Sequence, residues 1–165
     1  MDRQQISLKL ALDALGESLA LESFDERMAL QKIIYLTQHA GVHLGYRYNW
    51  YLRGPYSPEL TRDAFEMKSS LASGSDELTG WKLDEPSVQA LKRLATLWRD
   101  KQPGERPRWL ELLASVLFLK QSYLGRGSDT AGLREILRRY DKQFEESEIN
   151  TALGQLRSYG LLSTP

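Results

Sequence analysis

Apolar residues recur at helical spacing along nearly the whole chain, and at a clear period of two only once, between Tyr46 and Arg53. A chain so patterned folds as helices packed around a common interior, with a small β element set among them. The expected class is therefore mainly α: a compact helical domain of winged-helix-like or helix-turn-helix topology with a small antiparallel β element. Its 165 residues and 41% hydrophobic content are enough to fill one domain, or two small lobes sharing a core. The Pro- and Gly-bearing stretch Lys101 to Pro107 is the best boundary, which gives an N-terminal lobe over 1–102 and a C-terminal lobe over 103–165.

Ile6, Leu8, Leu15 and Leu19 predict a first helix over 4–19. Ser23 and Glu26 have the spacing of a capping box, so a second helix opens near Phe24 and stops at Gly41, burying Leu30, Ile33 and Ile34. From Tyr46 the alternation of Tyr46, Tyr48, Trp50 and Leu52 with Arg47, Asn49, Tyr51 and Arg53 predicts an extended segment. It ends at Gly54-Pro55-Tyr56-Ser57-Pro58, where Ser57 caps and Pro58 begins a helix over 58–71. Leu78 to Leu83 reads as a short strand or hairpin arm. Asp84-Glu85-Pro86 starts a further helix, and Trp109 to Lys120, apolar nearly all round, should be the most buried one. Ser128 is expected to cap a helix reaching Tyr140, and a last helix spans 145–159.

Two short helices joined by a tight connection, as in 128–162, have the outline of a helix-turn-helix. The helices over 24–40 and 58–71, with a hairpin near Trp81, would make a winged-helix-like unit in the front half. No internal repeat is present.

Composition removes several classes of chemistry. With no cysteine there is no disulfide scaffold, thiolate zinc site, iron-sulfur cluster or cysteine nucleophile. The first residues lack the order of a secretory signal, and no run of about 18 apolar residues is long enough to span a bilayer. A soluble cytoplasmic protein with no membrane association is expected. Lys and Arg number 22, as do Asp and Glu, so no net field draws the molecule onto phosphate. The halves differ: residues 1–85 carry a net charge of −4, residues 86–165 a net +4, and 86–142 alone a net +6. Scatter of those cations over several solvated helix faces is preferred to a single basic patch.

Leu30-Gln31-Lys32-Ile33-Ile34-Tyr35-Leu36, then Gly45-Tyr46, then Tyr48-Asn49-Trp50-Tyr51-Leu52-Arg53-Gly54-Pro55-Tyr56-Ser57-Pro58-Glu59-Leu60, resemble the front of the YwgA-like bacterial and archaeal proteins. That family is similar in outline to the Panacea, or SocA-like, domain of antitoxins and phage-related proteins. Leu110 to Val116 and Leu156 to Leu161 resemble its back half, whereas 72–105 contribute nothing to the likeness. The resemblance implies toxin neutralisation by protein contact, or a regulatory role, and supplies no catalytic residue.

Site by site, the chemistry is sparse. His39 and His43 are four apart, but Gly41 interrupts their helix and no third ligand is evident, so a structural or solvent-facing pair is preferred and neither metal nor cofactor is expected. No G-x-S-x-G elbow occurs, and Ser73 and Ser75 flank Gly74 in a polar loop. Gly125-Arg126-Gly127 is too short for a phosphate loop and reads as a turn. Acidic pairs such as Asp25 with Glu26 suit helix starts. The chain is not expected to be an enzyme.

Binding is the better prospect. Five large rings fall between Tyr46 and Tyr56, too many for one buried face, and Tyr51 shares the outward face with Arg47 and Arg53. Arg47, Tyr51, Arg53 and Tyr56 are the candidate protein-binding residues; the competing reading has the arginines paired locally and Tyr51 laid against a helix. For a winged-helix regulator the candidates are Arg134, Arg138, Arg139 and Lys142 on the DNA backbone and Asn150, Gln155 and Arg157 on base edges. Glu145, Glu146 and Glu148 at the leading end would repel phosphate. Aromatic edges and helix-turn-helix units both favour symmetric pairing, which leaves a homodimer open.

Overall fold

Seven helices form among the described residues, 1–74 and 76–164 of a computed structural model, and most begin where a side chain satisfies an otherwise orphaned backbone N–H. Asp2 and Gln5 make a capping box for α1 (Arg3–Leu15), and Ser23 with Glu26 makes one for α2 (Phe24–His39). Ser57 caps α3 (Pro58–Ala72) and Asp84 caps α4 (Glu85–Arg99), each with proline in the first turn. α5 (Arg106–Gln121) also carries proline in its first turn, so Pro107, expected in a boundary, instead opens a helix.

Three predicted bounds move for local reasons. α1 ends at Leu15, not near Leu19, because Gly16 adopts a left-handed φ of 73° and closes the last turn. α6 (Thr130–Arg139) starts one residue later than expected, since the cap is Asp129, which accepts from the Gly132 N–H at 2.8 Å, and not Ser128. The extended segment is paired only over β1 (Asn49–Tyr51), which forms a two-stranded antiparallel sheet with β2 (Gly54–Tyr56), Tyr51 opposite Gly54 and Asn49 opposite Tyr56. The last helix, α7 (Glu146–Ser158), lies where the sequence puts it.

No strand forms between Leu78 and Leu83: residues 77–80 are turns, and Trp81 is partly exposed. The hairpin lies instead in the connection between α2 and α3, so the described residues hold no wing after α3. Ser75, in the polar loop before Trp81, lies outside the described residues.

α5, apolar nearly all round, is deeply buried, and α2 matches it with nine buried residues each. α5 packs against α2, α4, α7 and β2, while α1 packs on α4 and α6 on α7. One continuous apolar cluster runs from Leu8 through Ile34, Trp98 and Leu113 to Leu156, so residues on both sides of 102 share one interior. Among the described residues no helix is long and apolar enough to cross a membrane.

Candidate docking hairpin

The alternation read from sequence survives as burial from Tyr46 to Tyr51 and fails at Leu52, which the hairpin turn carries out to solvent. Tyr46 is buried and Tyr48 and Trp50 half-buried, while Arg47, Asn49, Tyr51 and Arg53 are exposed. The inward rings interlock: Tyr48 meets Tyr35 edge-on at 5.0 Å, and Trp50 lies 5.5 Å from Phe118 and 5.3 Å from Tyr140. Outside, Tyr51 is 60% and Leu52 75% exposed, Tyr51 leans on half-buried Tyr56 at 5.4 Å, and Arg53 stands 5.6 Å over the exposed ring of Phe24. The structure thus brings Tyr51 and Tyr56 together on the hairpin and sets Arg53 in its turn, over Phe24. Arg47 shares their face farther down the strand. The Arg53 ion pair with Glu111 is long at 3.9 Å.

The hairpin backbone is held by α2. Gln31 donates to the Ser57 carbonyl at 2.8 Å and accepts from the Ser57 N–H at 2.9 Å; Gln38 does the same to Tyr46, both at 2.9 Å. The Tyr48 hydroxyl donates to the Gln31 carbonyl at 3.2 Å, and the Tyr46 hydroxyl to Asp63 at 3.0 Å. Burial pushes the hydroxyls of Tyr35, Tyr46 and Tyr48 above their ordinary pKa, and Asp63 adds to that at Tyr46.

Beneath the tip lies a buried polar cluster that the sequence reading missed. Lys32, 1% exposed, donates to the Pro55 carbonyl at 2.7 Å. Lys142, 4% exposed, donates to the Leu52 carbonyl and, at 3.1 Å, to Glu111. Burial lowers the Lys32 pKa to about 7, opposed by Glu111 and reinforced by Lys142 and Arg53. Burial likewise lowers Lys142, with Glu111 opposing. Two ammonium groups therefore share one carboxylate while holding the turn at the Leu52 and Pro55 carbonyls. Gly54 closes it at a φ of 90°, and a Cβ there would fall well inside contact distance of Ser115 Oγ, a buried hydroxyl with no partner. The one hint in the sequence was a lysine set in the apolar run Leu30 to Leu36, where only a paired charge is tolerated.

The nucleic-acid candidates do not form a basic surface. Lys142 is buried and spent on Leu52 and Glu111, which corrects its placement as a phosphate contact. Arg134 pairs with Glu145 at 3.3 Å and Arg138 with Glu135 at 2.8 Å. Asn150 accepts from Thr130 at 2.5 Å, and half-buried Arg157 has its Nε packed away from water without a partner. Arg139 and Gln155 are exposed. Glu148 at the start of α7 is bridged to Arg108; burial pulls its pKa up, but the Glu145 N–H and Arg108 outweigh this and hold it below the usual range.

Elsewhere, His39 Nδ1 lies 2.9 Å from the Tyr35 carbonyl, His43 is exposed, and no group of three or more His, Asp or Glu able to hold a metal occurs among the described residues. A cleft of about 610 Å³ opens between the end of α1, the start of α2 and the α4–α5 connection. Neither a hydroxyl nucleophile nor a histidine lines it; Glu17 there is occupied by Trp98 at 2.8 Å and Arg106 at 2.5 Å, and Glu26 caps α2. A smaller open groove of about 340 Å³ runs beside the hairpin between Gln38, His39, Tyr48, Phe118, Gln121 and Ser122. No family model matches the chain, and neither a curated protein nor a solved structure does.

Proposed function

We propose that this is a non-enzymatic, cytoplasmic interaction module of antitoxin, defence or regulatory type, which works by binding a partner protein through the outward face of its hairpin. The observation that carries the reading is the exposure of Tyr51, Leu52 and Arg53 at a turn held from below by Lys142 on the Leu52 carbonyl and Lys32 on the Pro55 carbonyl. Large apolar and guanidinium groups on a pre-ordered backbone lose little freedom on docking, which is what makes such side chains dominate interfaces. The likeness to YwgA-like and Panacea proteins supports the same reading, because its front motif is the one that builds this hairpin and its clasp, and it makes a toxin the first partner to look for.

The second reading is a winged-helix DNA-binding regulator. It retains Arg139 and Gln155 as exposed groups, but the pairing of Arg134 and Arg138 and the burial of Lys142 weigh against it. Affinity capture from host extract with the wild type and with Tyr51→Ala separates the two. Under the first reading one protein is retained by the wild type and lost by the variant at unchanged melting temperature, and neither binds heparin at low salt. Retention on heparin, abolished by rising salt and untouched by Tyr51→Ala, would select the second.

A further inference from the structure

We infer that the outer edge of β1 accepts an extended, acidic segment of the partner as a third strand; this rests on the hairpin being the docking element and specifies the form of the ligand. β1 pairs with β2 on one side only, and the sheet has two strands. The closing pair of a two-residue hairpin, Tyr51 with Gly54, is hydrogen-bonded, and Pro55 opposite Trp50 has no N–H to give. By the period of an extended chain, the peptide groups of Tyr46, Tyr48 and Trp50 then all open away from β2. Gln38 already fills the first of these positions, bonding both backbone groups of Tyr46 as a neighbouring strand would. Tyr48 and Trp50 supply the next two, and no backbone group among the described residues pairs with them there. An unpaired run of this kind is the usual receptor for strand addition.

The surroundings say what the added strand looks like. The 340 Å³ groove adjoins this edge at Tyr46 and Tyr48, and its lining of rings, the His39 imidazole among them, amides and a hydroxyl carries no carboxylate, lysine or arginine, so the ligand side chains that enter it are neutral and aromatic or aliphatic. The outward residues of β1 and its flanks include the cations Arg47 and Arg53. Arg47 has no acidic partner among the described residues, and the only one for Arg53 is 3.9 Å away, so outward side chains of the ligand are acidic. Charge also argues against a second copy of the chain: antiparallel self-pairing centred on Trp50 sets Arg47 opposite Arg53 of the other molecule.

The test pans the full-length protein against displayed random decapeptides and measures the enriched peptide in synthetic form by fluorescence polarisation. Expected are peptides alternating acidic with apolar residues, hydrogen-exchange protection of the Tyr48 and Trp50 amides on binding, and a loss of roughly tenfold or more when the peptide is N-methylated on its pairing side but not on the other. Arg47→Glu should weaken binding by about tenfold at unchanged melting temperature. No enrichment, enrichment of basic peptides, equal binding of both methylated forms, or a dimer that protects the two amides without peptide would each overturn the inference. If Tyr51→Ala abolishes binding while the Tyr48 and Trp50 amides stay unprotected, strand addition fails and the docking hairpin stands. If neither Tyr51→Ala nor Arg47→Glu alters binding, both fail.

Discussion

Gln31 and Gln38, seven residues apart on α2, each clasp both backbone groups of one hairpin residue, Gln31 taking Ser57 and Gln38 taking Tyr46. Two helical turns thus fix the spacing of the two arms, because a side-chain amide offers the same donor and acceptor pair as a strand. Gln31→Ala leaves the buried Ser57 N–H unmet and its C=O with only the 3.3 Å bond from the Thr61 N–H, and should cost about 2–3 kcal/mol; Gln38→Ala, nearer water, should cost about 1–2 kcal/mol. Urea unfolding measures both, and equal small losses would contradict the clasp.

Stability should rise on the alkaline side. Lys32 has a folded pKa of about 7, below its value in the open chain, so between pH 7 and about 10 the unfolded state binds more protons and stability climbs with pH. The gain is on the order of 3–5 kcal/mol, lost again as pH falls through 7. Above about pH 10 the curve should turn down, since Tyr35, Tyr46 and Tyr48 ionise more easily unfolded than folded. Lys32→Met should flatten the rise, and denaturant midpoints from pH 6 to 11 provide the check.

Among the described residues Glu111 is the one carboxylate that ion-pairs with a buried ammonium group of the cluster. Glu111→Gln should destabilise by about 3–5 kcal/mol, more than any single change to the exposed pairs of α6 and α7, which should cost under about 1 kcal/mol each. Thermal unfolding of Glu111→Gln beside Arg138→Ala makes the comparison.

Gly54→Ala meets both a strained φ and the Ser115 hydroxyl, and should cost about 2–4 kcal/mol. Ser115→Ala alone should be nearly neutral, because its Oγ is buried without a partner. In the double variant the steric part is recovered and the backbone part is not, so a coupling energy of about 1–2 kcal/mol is expected from the cycle.

The helices were legible because their signals are local. The Ser23–Glu26 box, Ser57 before Pro58 and Asp84 before Pro86 each mark a start within four residues. The outward face of the hairpin was legible too, since alternation at Arg47, Asn49, Tyr51 and Arg53 needs only a period of two. What holds the hairpin was not. The Lys142 grip on Leu52 spans 90 positions and that of Lys32 on Pro55 spans 23, and Lys142 read as a surface cation because composition cannot tell a solvated ammonium from a buried one. The hairpin expected near Trp81 failed for a related reason: an isolated short apolar run has no partner strand in its own sequence.

The hydrogen bond from Lys142 to the Leu52 carbonyl couples the two ends of the molecule. Residues 1–102 contain every side chain of the hairpin's outer surface, yet a fragment cut there would lack Lys142, Glu111 and the Phe118 and Tyr140 rings that seat Trp50. Interaction screens built on truncated bait would therefore return false negatives, and swapping C-terminal halves between related chains would retune affinity without altering a single contacting residue.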